Sequence, residues 1–262
     1  MKKMNLLQIP FGSVLIASLL YLLLGTSPSQ SAPNSSIPTV QIGNLIWDQT
    51  EMTIGDVKGF ASSSNFVSAA EKNGGGLSYE GGFVKKSGWT WKMPYGVPAK
   101  ESEPAVHLNQ KEADSICRFY GKRLPTDTEW TAAAFLEQRS NPPIGYAKGQ
   151  RYSYPGGVNP TTSHCLSGCG NYSGLAPAGA LNRGSGHVQT ATTKPGVNGL
   201  YDMGGNVWEW TATERNGGYI TRGASWWYGP ERQLELDVES KPGDIAVVYI
   251  GFRCVADVAR KQ

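Results

Sequence analysis

Two segments of the chain carry apolar residues three to four positions apart, which is the spacing of one face of an α-helix. In the first, Ala113, Ile116 and Tyr120 share a face, and Asn109 stands before them as a helix cap. Gly121 follows directly, as glycine does past helix ends. The pattern predicts a helix capped by Asn109 and ended by Gly121.

The second periodic segment begins after Thr126, with Glu129 three residues later in the arrangement of a capping box. Trp130, Ala134 and Phe135 supply its apolar face. Upstream, Thr53 caps a third and shorter predicted helix. Apolar runs without helical spacing predict short strands, and a Gly-rich, aromatic stretch predicts a long irregular loop. The strands are expected at residues 40–47, 206–213, 218–222 and 246–255, and the loop at residues 73–96.

These elements favour an α+β domain with two or three helices and small antiparallel sheets joined by many loops. We expect residues 51–262 to form this domain and residues 32–50 to supply a polar leader and the first strand. Residues 1–31 read as a signal peptide, because two lysines precede a short apolar run and a Ser/Pro-rich tail. The predicted location is periplasmic or extracellular, with no stable membrane span after cleavage. An uncleaved anchor is the alternative.

Charge and cysteine content refine this picture. The formal net charge is +3, and the predicted cleavage removes two lysines, so the mature chain is close to neutral. It has no basic run, which argues against a nucleic-acid partner. Four cysteines in an exported chain favour disulfides. Cys165 and Cys169 lie close together, and a zinc site with His164 is the competing interpretation.

The segment 199–210, GLYDMGGNVWEW, places Asp202 and Glu209 around a tight Gly204-Gly205 turn. Glycine lets such a turn direct its carbonyls inward, and carboxylates with carbonyls form the oxygen cage that Ca²⁺ prefers. A turn before a buried strand, with both acids solvated, is the alternative.

Four segments together resemble the formylglycine-generating enzymes, also called sulfatase-modifying factors. Their order and spacing agree with the family from about residue 51 to the C-terminus. The resemblance implies a loop-rich variant of the C-type-lectin-like fold. The segments are residues 121–130 (GKRLPTDTEW), 199–210, 222–226 (RGASW) and 251–257 (GFRCVAD).

The resemblance also implies a structural calcium site and a disulfide. Its best-matched calcium ligands fall on the side chains of Asp202 and Glu209 and on the carbonyls of Gly205 and Val207. The family's second calcium site matches poorly, so one ion is expected. The long-range disulfide of the family falls on Cys117 and Cys254.

The main departure from the family concerns copper. Members that oxidise a sulfatase cysteine hold copper between two cysteines, and Tyr228 and Gln233 stand at the corresponding positions here. Cu(I) selects soft sulfur ligands. The resemblance, with these two replacements, therefore argues against copper as a cofactor of this chain.

Three functions remain open from the sequence. The favoured one is an enzyme that matures a secreted peptide or protein without copper, or acts on an organic ligand. The first alternative is a non-catalytic binding module that uses residues 226–246, and the second is a sulfatase-activating oxidase. The predicted cleft residues, none with an assigned catalytic role, are Trp208, Ser225, Trp226, Trp227, Tyr228 and Arg232, with Glu231 as a further candidate for chemistry.

Overall fold

The computed structural model describes residues 32–259. The predicted signal peptide, residues 1–31, lies outside them, so its cleavage stays a prediction. No helix in the described part of the chain has the length and apolar character needed to cross a membrane.

The three helices predicted from periodicity are confirmed, and a fourth of one turn joins them within residues 32–259. The predicted helix caps form their hydrogen bonds. Asp56 N donates to Thr53 Oγ1 at 3.2 Å, and Asn109 and Thr126 form complete capping boxes. Gly121 ends its helix with a φ of +68°. The short helix was missed because four residues are too few to show a period. The helices are α1 (Ile54–Ser64), α2 (Ala69–Lys72), α3 (Gln110–Phe119) and α4 (Asp127–Phe135).

The strands form three small sheets within the same residues. The first has the order β1-β2-β9, the second is the hairpin β3-β4, and the third has the order β7-β6-β5-β8. Pairing is antiparallel except between β5 and β8. The strands are β1 (Thr39–Ile42), β2 (Leu45–Asp48), β3 (Leu77–Tyr79), β4 (Phe83–Lys85), β5 (Trp208–Arg215), β6 (Gly218–Arg222), β7 (Glu239–Lys241), β8 (Ile250–Gly251) and β9 (Val255–Asp257).

Several strand predictions were wrong in extent. The segment 40–47 is a hairpin, because Gly43 adopts a φ of +58° and Ile42 pairs with Leu45 across the turn. The segment 246–255 forms only the two short strands β8 and β9, since its buried apolar residues fill the core as irregular chain. The predicted loop 73–96 contains the hairpin β3-β4, and the strand β7 was not predicted.

The pairing register of the third sheet decides which side chains can meet. Thr221 lies opposite Glu239 on β7, and Glu209 lies opposite Arg222 on β6. Because side chains alternate between the faces of a sheet, Thr221, Glu239 and Lys241 share one face with Trp208. Glu209 points to the other face. One face of the sheet therefore carries Trp208 and Lys241, and the opposite face carries the carboxylate of Glu209.

Both disulfides are present. Cys117 on α3 is bonded to Cys254 just before β9, across 137 residues of sequence, and Cys165 is bonded to Cys169. The second bridge excludes the zinc interpretation, because both sulfurs are consumed. The first ties the helical half of the core to the C-terminal strands. The loop-rich α+β architecture expected from the sequence is confirmed.

Candidate functional site

The turn before β5 forms as the sequence predicts. Gly205 has a φ of +79°, and a Cβ atom there would lie 2.2 Å from the carbonyl oxygen of His164. Only glycine fits this close approach. The turn buries Asp202 and Glu209, so the alternative with two solvated acids is excluded.

The charge of Glu209 is balanced by Arg253 from the segment GFRCVAD. Arg253 Nε lies 2.9 Å from Oε1 and 2.8 Å from Oε2 of Glu209, and Nη2 lies 2.6 Å from Oε1. Trp130 Nε1 donates to Oε2 at 2.7 Å. Arg253 and Glu209 are at most 1% exposed. Paired and hydrogen-bonded charge of this kind is the form in which a protein core tolerates ions.

Two further acids surround this ion pair. Asp202 accepts from Ala191 N at 3.0 Å and from Thr193 Oγ1 at 2.5 Å. Glu51 Oε1 accepts from Asn206 Nδ2 at 3.0 Å, and its Oε2 has no partner among the described residues. Burial raises the pKa of Asp202, and burial together with the charge of Asp202 raises that of Glu51 well above its usual range.

In this arrangement the carboxylates predicted to bind calcium have protein partners. All four carboxylate oxygens of Asp202 and Glu209 already accept hydrogen bonds from protein groups, and the guanidinium of Arg253 supplies the positive charge. Gly205 and Val207, the predicted carbonyl ligands, are buried beside it. Calcium therefore stays a prediction from the sequence, and no later step depends on it.

On the opposite face of the sheet, aromatic rings meet amines and guanidinium groups. We call this cluster the amine–aromatic face and define it as Trp208, Tyr228, Arg232, Lys241 and Tyr249. The Tyr228 ring lies edge-to-face with Trp208 at 5.8 Å and with Tyr249 at 6.1 Å between centroids. The guanidinium carbon of Arg232 lies 5.3 Å from the Tyr228 ring centroid. Burial raises the pKa of both tyrosines, so they are neutral phenols.

Lys241 has an unusual environment on this face. Its Nζ lies 4.1 Å from the centroid of Trp208 and 2.7 Å from Thr221 Oγ1. The nearby acids pair instead with Arg232, whose Nε lies 2.7 Å from Asp237 Oδ2 and whose Nη2 bonds Glu239. Burial lowers the pKa of Lys241 to about 8. Clusters of perturbed groups are common at functional sites, although structural networks also produce them.

The indole N–H of Trp208 is a second unusual feature. Trp208 is fully buried, and its Nε1 has no hydrogen-bond acceptor within the described residues. Most buried donors in proteins are paired, so such a group calls for an explanation such as a bound water or ligand. The same ring carries the Lys241 amine on its surface. A small acceptor-bearing ligand would satisfy this donor.

The predicted cleft is only partly assembled. The structure brings Trp208, Tyr228 and Arg232 together, but only Tyr228 and Arg232 are half-buried and reachable. Ser225 and Trp227 are at most 3% exposed, and Ser225 Oγ accepts from Trp227 N at 3.3 Å. The prediction that these two residues line an open cleft was wrong, because the Trp-rich turn packs into the core.

Other residues of the predicted recognition segment 226–246 lie outside the amine–aromatic face. Glu231 is exposed, Trp226 is buried beside Tyr95 at 6.4 Å between ring centroids, and Glu235 pairs with Arg151. A cavity of about 740 Å³ lies elsewhere, between the leader and α1. Two acids line this cavity: Asp56 accepts hydrogen bonds from Ser36 and Thr53, and Glu101 pairs with Lys58. Both acids therefore already have protein partners.

The side chains of all three histidines are buried and form hydrogen bonds within the core. His187 Nε2 lies 2.9 Å from Glu103 Oε2 and its Nδ1 lies 2.8 Å from Tyr95 OH, in a buried chain of hydrogen bonds. His164 Nε2 lies 2.7 Å from the Gly186 carbonyl. His107 Nε2 lies 3.0 Å from the Pro94 carbonyl, and burial lowers the pKa of His107 to about 4. No cluster of metal-binding side chains occurs in the part of the chain that the structure describes.

We expect His107 to make the free energy of unfolding decrease as the pH falls. Because its pKa is lower in the folded than in the unfolded chain, its contribution is complete above about pH 6.5 and is lost as the pH falls towards 4. Urea unfolding of wild type and His107→Asn, which suits the residue's φ of +57°, checks this. The wild-type advantage should shrink by about 2 kcal/mol between pH 7.5 and pH 5. An equal advantage at both pH values would contradict it.

Comparison with known proteins shows the family of this chain. Residues 13–258 match the family model described as "Sulfatase-modifying factor enzyme 1-like domain". The chain belongs to this family. It is 31% identical over 186 residues to a Bos taurus protein named "Inactive C-alpha-formylglycine-generating enzyme 2", covering 65% of this chain and 57% of the relative. It is 26% identical over 218 residues to the Mus musculus formylglycine-generating enzyme, covering 72% and 55%.

A solved structure with the same fold is that of PvdO from Pseudomonas aeruginosa. It superposes with a TM-score of 0.53 at 17% identity, covering 81% of this chain and 80% of that one. This likeness concerns the fold, which is the family's C-type-lectin-like architecture. The chain spans a little over half the length of the curated relatives described above.

In this chain, Tyr228 and Gln233 occupy the two positions at which the resemblance to the family places cysteines. Tyr228 is half-buried in the amine–aromatic face, and Gln233 is buried with its Oε1 accepting from Ser163 Oγ at 3.0 Å. All four cysteines of this sulfatase-modifying factor homologue are in disulfides. The chain therefore has no cysteine at the two positions where the resemblance to the family places its thiol pair.

Sequence reasoning missed four residues of the two centres: Glu51, Lys241, Tyr249 and Arg253. Arg253 lies in a recognised motif, and the need of two buried acids for a counter-charge was a usable signal. Lys241 gave no signal, because it reaches Trp208 only through the pairing of the unpredicted strand β7 with β6.

Proposed function

We propose that this chain is an exported member of the sulfatase-modifying factor family that acts on a secreted peptide or protein without copper. The observation that carries the proposal is that a phenol and an amide stand where the family's copper thiolates are expected, while every cysteine is in a disulfide. The amine–aromatic face is the site at which we place the ligand.

Two features support this proposal. Disulfides form and persist in oxidising compartments, which fits export. A half-buried phenol, a half-buried lysine whose amine has a lowered pKa and an unpartnered indole N–H lie on one face, which fits a site that binds and alters an organic group. The Bos taurus relative is named an inactive formylglycine-generating enzyme, so a protein named as inactive is among the relatives of this chain.

The test compares the masses of exported peptides in cells that lack the protein and in cells complemented with wild type or Tyr228→Ala. We expect at least one exported peptide or protein to change mass with wild type. The change should be lost, or reduced by about tenfold or more, with Tyr228→Ala, because removing one positioning contact costs this much or more.

A matched control is Tyr146→Ala, since Tyr146 is half-buried like Tyr228 but contacts Tyr152, Arg139 and the Gly156 carbonyl instead of the amine–aromatic face. It should complement fully. Identical exported masses with and without the wild-type protein would exclude a maturation role.

A second candidate, binding without chemistry, has one observation in its favour. Leu236 is 94% exposed within the predicted recognition segment 226–246, and it directly precedes Asp237, which pairs with Arg232 of the amine–aromatic face. Exposed apolar residues beside aromatic and charged groups are typical of a contact surface. Retention of an exported partner without any mass change, lost in Leu236→Ser, would favour this candidate.

A further inference from the structure

The environment of Lys241 separates it from an ordinary surface lysine. It lies on the edge strand β7, and its side chain crosses β6 to reach Thr221 and the ring of Trp208. Asp237 and Glu239 are close enough to influence its charge, yet both pair with Arg232. No ion pair of Lys241 occurs within the described residues. Arg232 thus leaves an amine on an aromatic surface without a carboxylate partner.

An amine in this setting is a nucleophile near neutral pH. Burial disfavours the ammonium form, and the positive charge of Arg232 disfavours it further, while Asp237 and Glu239 oppose this only in part. With a pKa of about 8, roughly a quarter of the amine is neutral at pH 7.5, against about one part in 800 for an ordinary lysine. Lysines activated by desolvation or by a neighbouring cation react with carbonyl groups as Schiff bases.

An unpartnered donor lies beside this nucleophile. The buried Nε1 of Trp208 has no acceptor, although it belongs to the ring on which the amine lies. A carbonyl group has an electrophilic carbon for the amine and an oxygen that can accept from an N–H. Carboxylates also accept from the indole, but they offer no carbon that the amine attacks readily. An amine without a carboxylate partner and an indole N–H without an acceptor, both at the Trp208 ring, together fit a carbonyl ligand.

We propose that Lys241 takes an aldehyde or ketone group of the ligand as an imine on the amine–aromatic face. This deepens the proposed function and rests on it for the identity of the site. The Nζ lone pair attacks the carbonyl carbon, and a proton passes from nitrogen to oxygen to give a carbinolamine. Loss of water then forms the C=N bond. The step needs no oxidant or reductant, since amine and carbonyl give imine and water.

The other members of the face have supporting roles. Tyr228 and Tyr249 keep their phenolic protons, because burial raises the pKa of each. The guanidinium carbons of Arg183 and Arg232 lie 5.9 Å and 5.3 Å from the centroid of the Tyr228 ring. Aromatic walls favour a ligand in which the carbonyl is attached to an apolar or aromatic group. The site should therefore prefer an aromatic aldehyde to a small aliphatic one.

The experiment uses the intact, oxidised chain with benzaldehyde and sodium cyanoborohydride at pH 7.5, followed by peptide mapping. We expect Lys241 to be alkylated about tenfold faster or more than Lys111, which is exposed at the start of α3. Acetaldehyde should show a smaller preference for Lys241. In Lys241→Arg, labelling at residue 241 should vanish and labelling of Lys111 should be unchanged.

Two results would overturn the imine. One is labelling of Lys241 no faster than that of Lys111. The other is labelling of Lys241 only after unfolding, as for a lysine whose stem merely packs against Trp208. Full complementation of the exported-peptide change by Lys241→Arg would also exclude a role of the imine in it. The proposed function fails separately, when the wild-type protein itself changes no exported mass or when Tyr228→Ala still complements.

Discussion

Replacing Arg253 by methionine is expected to lower the free energy of unfolding by about 3–5 kcal/mol, because removal of one partner leaves a buried charge uncompensated. In this chain the guanidinium holds Glu209 through three contacts, and its positive charge also acts favourably on the carboxylates of Glu51 and Asp202. Without it, buried acids would face one another with no counter-charge. Urea unfolding at pH 7.5 measures the loss.

A matched control is Arg118→Met on α3, whose ion pair with Asp114 is largely exposed. It should change stability by about 1 kcal/mol or less. If Arg253→Met does not fold, Arg253→Met with Glu209→Leu should recover folded protein, since removing both charges of a buried pair is often tolerated. A stability of Arg253→Met within about 1 kcal/mol of wild type would contradict this account. A large loss of wild-type stability in EDTA would instead point to the calcium ion.

Removing the disulfide between Cys117 and Cys254 is expected to cost up to about 5 kcal/mol, since this bridge closes a loop across 137 residues of sequence. The chain-entropy model gives this value because the reduced unfolded chain gains much more freedom. Both cysteines are fully buried, so alanine is the least disruptive replacement. Thermal or urea unfolding of Cys117→Ala/Cys254→Ala checks the prediction.

The second disulfide is the internal control. Cys165 and Cys169 are four residues apart, so the same model gives only about 2 kcal/mol for Cys165→Ser/Cys169→Ser. Equal losses for the two double variants would show that loop length is not the origin of the stabilisation.

Local signals predicted the helices well. Capping boxes at Asn109 and Thr126 are set by residues three positions apart, and the structure forms both. The Gly205 turn was predictable for the same reason, since its constraint lies within a few residues. Strands were less predictable because two to four residues carry almost no period, and pairing partners lie far away in sequence. Ile250 on β8, for example, pairs with Trp208.

The candidate site shows the same division. Tyr228 and Arg232 were identified from one short segment, and the structure leaves both reachable. Lys241 enters the site only through the register of an unpredicted strand. The calcium prediction rested on two acids in one turn, whereas Arg253, from a different segment, already engages Glu209. Long-range partners of this kind are invisible to spacing rules.

The central claim is that this family member works without copper, and a Cu(I) titration tests it most directly. The fully oxidised protein is titrated with Cu(I) in competition with bathocuproine disulfonate, after a thiol assay has confirmed that no free cysteine is present. We predict that the chelator retains the copper, because a phenol and an amide stand in place of the two thiolates. Tight uptake of one Cu(I) per chain, lost in Tyr228→Phe, would contradict the account.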